Sequence, residues 1–248
     1  MPDTQDRIRS CELFRPLDPA QIARLAARCR KSTYSARQPI CLPAEPAESI
    51  YLLQEGLVKV CHITPDGKQS ILAFVGPGEP FGELAVLDRD RRDEYVESVE
   101  PSSVLSVSAA EARRLMGENA EFAVALTTMI GIRRRRVERR LRNLLFLSYR
   151  DRLVHVFLDL AEQFGLADGD GIHLRIRLSH QELASLIGST RETVTVLLGQ
   201  LKTEGLIRMG RRRIYLSNPQ RLAEHVRRRV VKRSDPNNQG ASRLATVA

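Results

Sequence analysis

LSHQELASLIGSTRETVTVLLGQLKTEGLI, residues 178–207, is the stretch that decides the fold of this chain. Ser179 can cap a helix, and Glu182 three residues on completes a capping box. Leu183, Leu186 and Ile187 then give that helix one apolar face. Gly188 stops it, and Ser189-Thr190 offers hydroxyls to cap the next. On the second helix Val194, Leu197, Leu198 and Leu201 step by three and four and are expected to face a core. The face left outside begins with Arg191, Glu192 and Thr195. A charged, hydrogen-bonding first turn on the second of two helices is where a helix-turn-helix places its base-reading side chains.

An ordinary helical hairpin with a solvated outer face has the same pattern, and charge separates the two readings. Residues 1–130 carry 15 Lys and Arg against 19 Asp and Glu, whereas residues 131–248 carry 24 against 11. The net +9 thus conceals an acidic first half and a strongly basic second half that holds the two helices. That asymmetry is the footprint of phosphate binding, so double-stranded DNA is the expected partner.

At 248 residues and 42% hydrophobic content the chain is long enough for two cores and unlike a disordered protein. No apolar run reaches the ~18–20 residues a bilayer demands. MPDTQDRIRS lacks the apolar segment of a secretory signal. A cytoplasmic protein with reduced thiols, without a membrane partner, is therefore expected. Cys11, Cys29, Cys41 and Cys61 fit no C-x-x-C pattern. Cys61 and His62 would point to opposite faces of a strand, so no metal site is expected. The five histidines (His62, His155, His173, His180 and His225) are scattered without catalytic or ligand spacing, so no catalytic residues and no enzyme are expected.

Outward from the motif, Asp18-Pro19 with Gln21 opens a helix to about Arg30. From Ser32 to Val107, prolines and glycines punctuate short apolar runs such as 50–53, 57–60, 70–75 and 104–107. These predict an antiparallel barrel or roll. A small helix near 109–116 precedes a long one, about Glu118 to Leu147. Phe122, Leu126 and Met129, then Val137, Leu141 and Leu144, suggest a coiled-coil seam along it. Arg133 to Arg136 interrupt the seam and are read as a solvated face, with a direct nucleic-acid contact as the alternative. Ser148 with Asp151 recaps a helix to Phe164, Ala167–Gly171 is a turn, and Ile172 to Leu178 alternates as a strand. Leu206 to Leu216, around Met209-Gly210-Arg211, reads as a hairpin wing. Asn218-Pro219 starts a last helix, and residues 234–248 are polar enough to be a disordered tail.

With these pieces in place the chain resembles the CRP/FNR family of bacterial transcription regulators over about residues 12–220. The resemblance rests on FGEL at 81–84, the long helix before Phe146, and GSTRETV at 188–194. It implies an α+β chain with a cyclic-nucleotide-binding-type β-roll as sensor (1–117), a dimerisation helix (118–147) and a winged helix-turn-helix (148–233). It further implies a homodimer on a palindromic DNA site, with RNA polymerase as a second partner. Activation and repression are equally open. Carried over residue by residue, Arg191 matches an arginine that reads guanine, and Glu192 a glutamate that accepts from cytosine. Thr195 and Val196 share that base-reading face. Valine replaces a second base-reading arginine and can offer only an apolar contact, for instance to a thymine methyl. Gln181, Thr190 and Thr193 match phosphate-binding positions, and Ser189 joins them.

The sensor half departs from the family's cyclic-nucleotide pattern. Gly82, Glu83 and Leu84 are kept, and Arg92 can stand in for the phosphate-gripping arginine. Asp93-Glu94 follow it, however, and carboxylates beside a phosphate site repel the ligand. Val137 and Glu138 occupy positions where cAMP-binding members offer threonine and serine. No cofactor is therefore expected; cAMP or another small effector in the Gly82–Glu83–Leu84–Arg92 pocket is the disfavoured alternative. The cysteine cluster of iron–sulfur-sensing members is missing. A cyclic-nucleotide-responsive module controlling a partner enzyme shares the roll but leaves the helix-turn-helix and the basic half without a purpose.

Overall fold

In the computed structural model the described residues are 4–67, 69–87, 92–169, 171–210 and 213–228. The polar tail at 234–248 and Arg211 at the wing tip lie outside them. The chain divides into two compact units, residues 1–142 and 143–248.

The first unit opens with α1 (Thr4–Arg9), a short 3-10 turn over Glu12–Phe14, and α2 (Pro19–Arg28). Asp18 and Gln21 cap α2 reciprocally, at 2.7 and 3.0 Å. Eight strands follow: β1 (Arg30–Tyr34), β2 (Pro39–Cys41), β3 (Ser49–Glu55), β4 (Val58–Ile63), β5 (Gln69–Val75), β6 (Pro80–Phe81), β7 (Tyr95–Ser98) and β8 (Ser102–Ser108). The one-turn helix α3 (Leu84–Leu87) interrupts them. Two antiparallel four-stranded sheets result, ordered β1-β8-β3-β6 and β2-β7-β4-β5. This is the expected roll.

Alternation along β3 sends its side chains two ways. Leu53 meets Cys41, Val58, Val75, Phe81, Val96 and Val104 in a core drawn from both sheets. Ile50 and Leu52 instead pack with Phe14, Ile22 and Leu25 of the N-terminal segment, and with Leu115. Leu115 belongs to α4 (Ala109–Glu118), which Ser108 caps. The long helix α5 (Ala120–Phe146) adds Phe122 and Leu126 to that second core, with Met129 partly buried against it. The first three apolar residues assigned to a seam are thus packing for their own unit. Val137 and Leu141 remain exposed, at 56% and 55%. The boundary between the two units falls inside α5.

The second unit continues with α6 (Tyr149–Phe164), capped by Ser148, whose Leu153, Phe157, Leu160, Ala161 and Phe164 are buried as expected. A sheet ordered β11-β12-β10-β9 follows, from β9 (Gly165–Asp168), β10 (Gly171–Leu174), β11 (Ile207–Gly210) and β12 (Arg213–Leu216). The stretch 167–171 read as a turn is thus mostly strand. Conversely, β10 ends at Leu174 rather than Leu178. Burial keeps alternating through Arg175, Ile176, Arg177 and Leu178, but β12 pairs only with Ile172 and His173. Alternation reports burial; a strand also needs a neighbour to bond. Between β10 and β11 lie α7 (His180–Ile187) and α8 (Arg191–Thr203), and α9 (Pro219–His225) closes the described chain, capped by Asn218.

None of the four cysteines is joined in a disulfide, and Cys11, Cys41 and Cys61 are buried. Burial pushes the Cys11 thiol up to about 12 and those of Cys29 and Cys41 to about 11. Among the described residues no group of histidines, cysteines and carboxylates could hold a metal ion, and no helix is long and apolar enough to cross a membrane.

Candidate nucleic-acid interface

Local sequence sets the geometry of the α7–α8 pair. Ser179 and Glu182 form the capping box, the Glu182 backbone N–H donating to Ser179 Oγ at 3.2 Å and Ser179 N–H to Glu182 Oε2 at 2.7 Å. Gly188 ends α7 in the left-handed conformation, φ 66° and ψ 44°, which a residue with a Cβ adopts at a cost. A Cβ there would also come within 3.2 Å of Leu144 Cδ2. Thr190 caps α8 by accepting the Thr193 N–H at 3.2 Å, with the two hydroxyls 3.1 Å apart. Arg152 fastens the turn from behind, donating to Ile187 O at 3.1 Å and Leu147 O at 3.0 Å.

Val194, Leu198 and Leu201 are buried and Leu197 is half-buried, which turns the other side of α8 outward. Arg191, Glu192, Thr195 and Val196 all lie exposed on it, Val196 at 60%. Gln181 and Thr190 are exposed at the starts of their helices, while Ser189 and Thr193 are half-buried. The positive end of the α8 dipole sits at the same edge. Thr195 donates its hydroxyl proton to Arg191 O at 2.9 Å, so it can offer a ligand only its methyl and an oxygen lone pair. The β11–β12 hairpin adds Arg208, whose guanidinium stacks 3.9 Å from the centroid of the Tyr215 ring. Tyr215 in turn donates to Asp168 O at 2.5 Å. The sequence pattern marks the hairpin but not this stacked cation; its signal is Arg208 opposite Tyr215 in register.

The pocket residues of the first unit come together as well. Gly82 (φ +70°) lets the Arg92 guanidinium approach, since a Cβ there would stand 2.8 Å from Nη1. Arg92 is 7% exposed, donates to Ser49 O at 2.5 Å, and lies over the Tyr51 ring with its guanidinium carbon 5.2 Å from the centroid. Glu83, also buried, is ion-paired with Arg133 of α5, which donates to Pro80 O too. Arg133 therefore leaves the solvated face assigned to it, while Arg134, Arg135 and Arg136 stay on it. Glu94 completes the cluster: burial first, then the Glu83 carboxylate, raises its carboxyl above the usual range, against the pull of Arg92 and Arg133. Leu84 does not join the pocket interior and is 47% exposed. Of the two guanidinium groups, Arg133 is paired with Glu83, and Arg92 is held by Ser49 O and the Tyr51 ring.

Comparison with known proteins agrees with this layout. Residues 31–119 match the family model of the cyclic nucleotide-binding domain, and residues 151–225 that of the Crp-like helix-turn-helix domain. A global nitrogen regulator of Synechococcus elongatus is 34% identical over 187 residues, covering 75% of this chain and 84% of its own. A CRP-like cAMP-activated global transcriptional regulator of Mycobacterium tuberculosis is 27% identical over 215 residues, covering 87% and 96%. Among solved structures, FixK2 from Bradyrhizobium japonicum superposes with a TM-score of 0.71 at 25% identity, covering 84% of this chain and 99% of its own. A CRP-family transcriptional regulator from Thermus thermophilus gives 0.66 at 29%, covering 81% and 98%. The chain belongs to the CRP/FNR family of DNA-binding transcription regulators, proteins that are not enzymes.

Proposed function

We propose that this chain acts in the cytoplasm as a homodimer that reads a palindromic duplex site without requiring a cyclic nucleotide. The observation that carries the DNA half of this reading is the outward face of α8. Arg191 is the guanine-reading fork and Glu192 the acceptor for a cytosine amino group; Thr195 and Val196 supply apolar contact to neighbouring base pairs. Gln181, Ser189, Thr190 and Thr193 bind the flanking phosphates. Two such helices must stand about 34 Å apart to enter successive major grooves, which a dimer provides. The exposed Val137, Leu141, Leu145 and Phe146 of α5 supply the apolar surface for it. By this reading residues 1–117 are the sensor, 118–147 the dimerisation helix and 148–233 the reader, with RNA polymerase as the regulator's further partner.

Effector independence rests on the occupied pocket. Arg92 already bonds to Ser49 O and stacks on Tyr51, and Glu83 already holds Arg133. A cyclic phosphate would have to strip these bonds while meeting the Glu83 and Glu94 carboxyls, so the residues present do not fit that ligand. Relatives of comparable identity carry names pointing to different signals, cAMP in one and nitrogen in another, so kinship alone does not fix an effector. Selection of duplexes from a random pool, with protein purified free of nucleotide and then with added cAMP or cGMP, tests the whole reading. A palindromic G·C-containing half-site bound equally well in all three arms is expected. A site recovered only with nucleotide would refute effector independence, and no enrichment would refute the DNA reading.

A further inference from the structure

His180, the first residue of α7, is joined to the outer face of α8: its Nδ1 lies 2.8 Å from Thr195 Oγ1. The direction of that bond follows from the neighbouring one. Thr195 has a single hydroxyl proton and gives it to Arg191 O at 2.9 Å. With that proton on Arg191 O, the oxygen accepts from His180, which places the imidazole proton on Nδ1. A neutral imidazole so fixed presents a bare Nε2, and among the described residues Nε2 has no partner. The ring is half-buried, and Gln181, exposed, follows it at once.

We infer that His180 is a DNA-contacting residue whose Nε2 takes up a proton on binding and donates to an acceptor on the duplex, making affinity for DNA rise as pH falls. The inference rests on the reading of α8 as the recognition helix. A neutral Nε2 facing phosphate oxygens or the acceptor edge of a purine meets lone pair with lone pair. The protonated ring offers a donor and a charge at the same place, and the negative potential of DNA favours it. Nδ1 stays protonated in both states, so the Thr195 bond is kept and the ring does not turn. The charges around it act in both directions. Glu182 on α7, held by Ser179, and Glu192 on α8 favour the cation. Arg191 on α8, Arg177 in the approach to α7, and the positive end of the α7 dipole oppose it. α6, packed behind α7, sends Arg152 only to the far end, at Ile187 O.

Three measurements on the full chain decide this. The first is affinity for the selected duplex and for an unrelated one, at fixed ionic strength between pH 6 and 8. Wild type is expected to lose about three- to tenfold per half-site as pH rises. His180→Asn keeps a donor for Thr195 but has no Nε2, and it is expected to give a flat profile; His180→Gln repeats the test should the first variant fold poorly. Because His62, His155, His173 and His225 are common to all these proteins, the difference between them isolates position 180. The same difference on both duplexes assigns the acceptor as phosphate, and a difference on the selected duplex alone assigns a purine edge. The second measurement is the nitrogen spectrum of the wild-type imidazole, expected to show the Nδ1-protonated tautomer in the free protein. Equal pH slopes in wild type and both variants, or an Nε2-protonated tautomer, would overturn the inference. The third, Arg191→Ala, separates the two readings. If it relaxes sequence choice while position 180 has no effect, α8 is the recognition helix and only this inference falls. Without sequence-selective binding at any pH, both fall.

Discussion

Replacing Arg133 by alanine removes the cation that α5 contributes to the sensor pocket, and its cost can be worked out from the surroundings. Glu83 has 9% of its side chain exposed, so its carboxylate would be left nearly dry and unpaired. Breaking a buried pair from one side costs about 3–5 kcal/mol, but Arg133 is itself 30% exposed and water can enter in its place. About 2 kcal/mol is the discounted figure. Loss of the donor to Pro80 O adds about 1 kcal/mol. Glu83→Gln alone keeps an acceptor for Arg133 and is expected to cost about 1 kcal/mol. The double variant has no stranded charge and is expected to cost about 2 kcal/mol, rather than the roughly 4 that independent effects would give. Urea unfolding at about pH 7.5 measures these differences, and hydrogen exchange at amides of β3, β6 and β8 assigns the transition to this unit. Additivity within about 0.5 kcal/mol would show that Arg133 and Glu83 do not act as a pair, and would remove the main argument for a pre-filled pocket.

Glu94 gives a prediction in pH. Its carboxyl is raised in the folded chain, so the proton contributes stability at low pH that is lost as pH rises through the folded value. Glu94→Gln is therefore expected to melt higher than wild type at about pH 8 and to flatten the dependence, as thermal unfolding at several pH values will show. Arg191→Ala is expected to weaken operator binding by about 1–3 kcal/mol and to relax choice at one G·C pair per half-site; equal weakening on every sequence would make Arg191 a phosphate contact. Leu141→Glu with Leu145→Glu is expected to give monomers by light scattering and to abolish operator binding, since both side chains are exposed on α5 and support no core of their own unit.

The α7–α8 pair was legible because everything that defines it is local. Ser179 and Glu182, Gly188, and Thr190 with Thr193 lie within a few residues of one another, and the apolar spacing does the rest. The roll was legible from its turn residues, though α1 and the Glu12–Phe14 turn lack any period long enough to register. The pocket was half legible. FGEL and Arg92 could be named, but the residue that closes it, Arg133, lies 50 positions from Glu83 inside a run of four arginines. Nothing in the run marks its first member as the one turned inward. Likewise Phe122 and Leu126 have seam spacing, but whether they meet a second helix or the home core depends on tertiary packing.

The cysteines have a consequence of another kind, in reaction rates. A thiol held near 11 is thiolate in only about one molecule in ten thousand at neutral pH, and the thiolate is the reactive species. Cys11, Cys29 and Cys41 are therefore slow toward peroxides, disulfides and alkylating reagents alike. A cysteine placed by substitution on the outward face of α8 would react well ahead of them. The chain can thus accept a single fluorophore or spin label where DNA is expected to dock, with those three native thiols left in place.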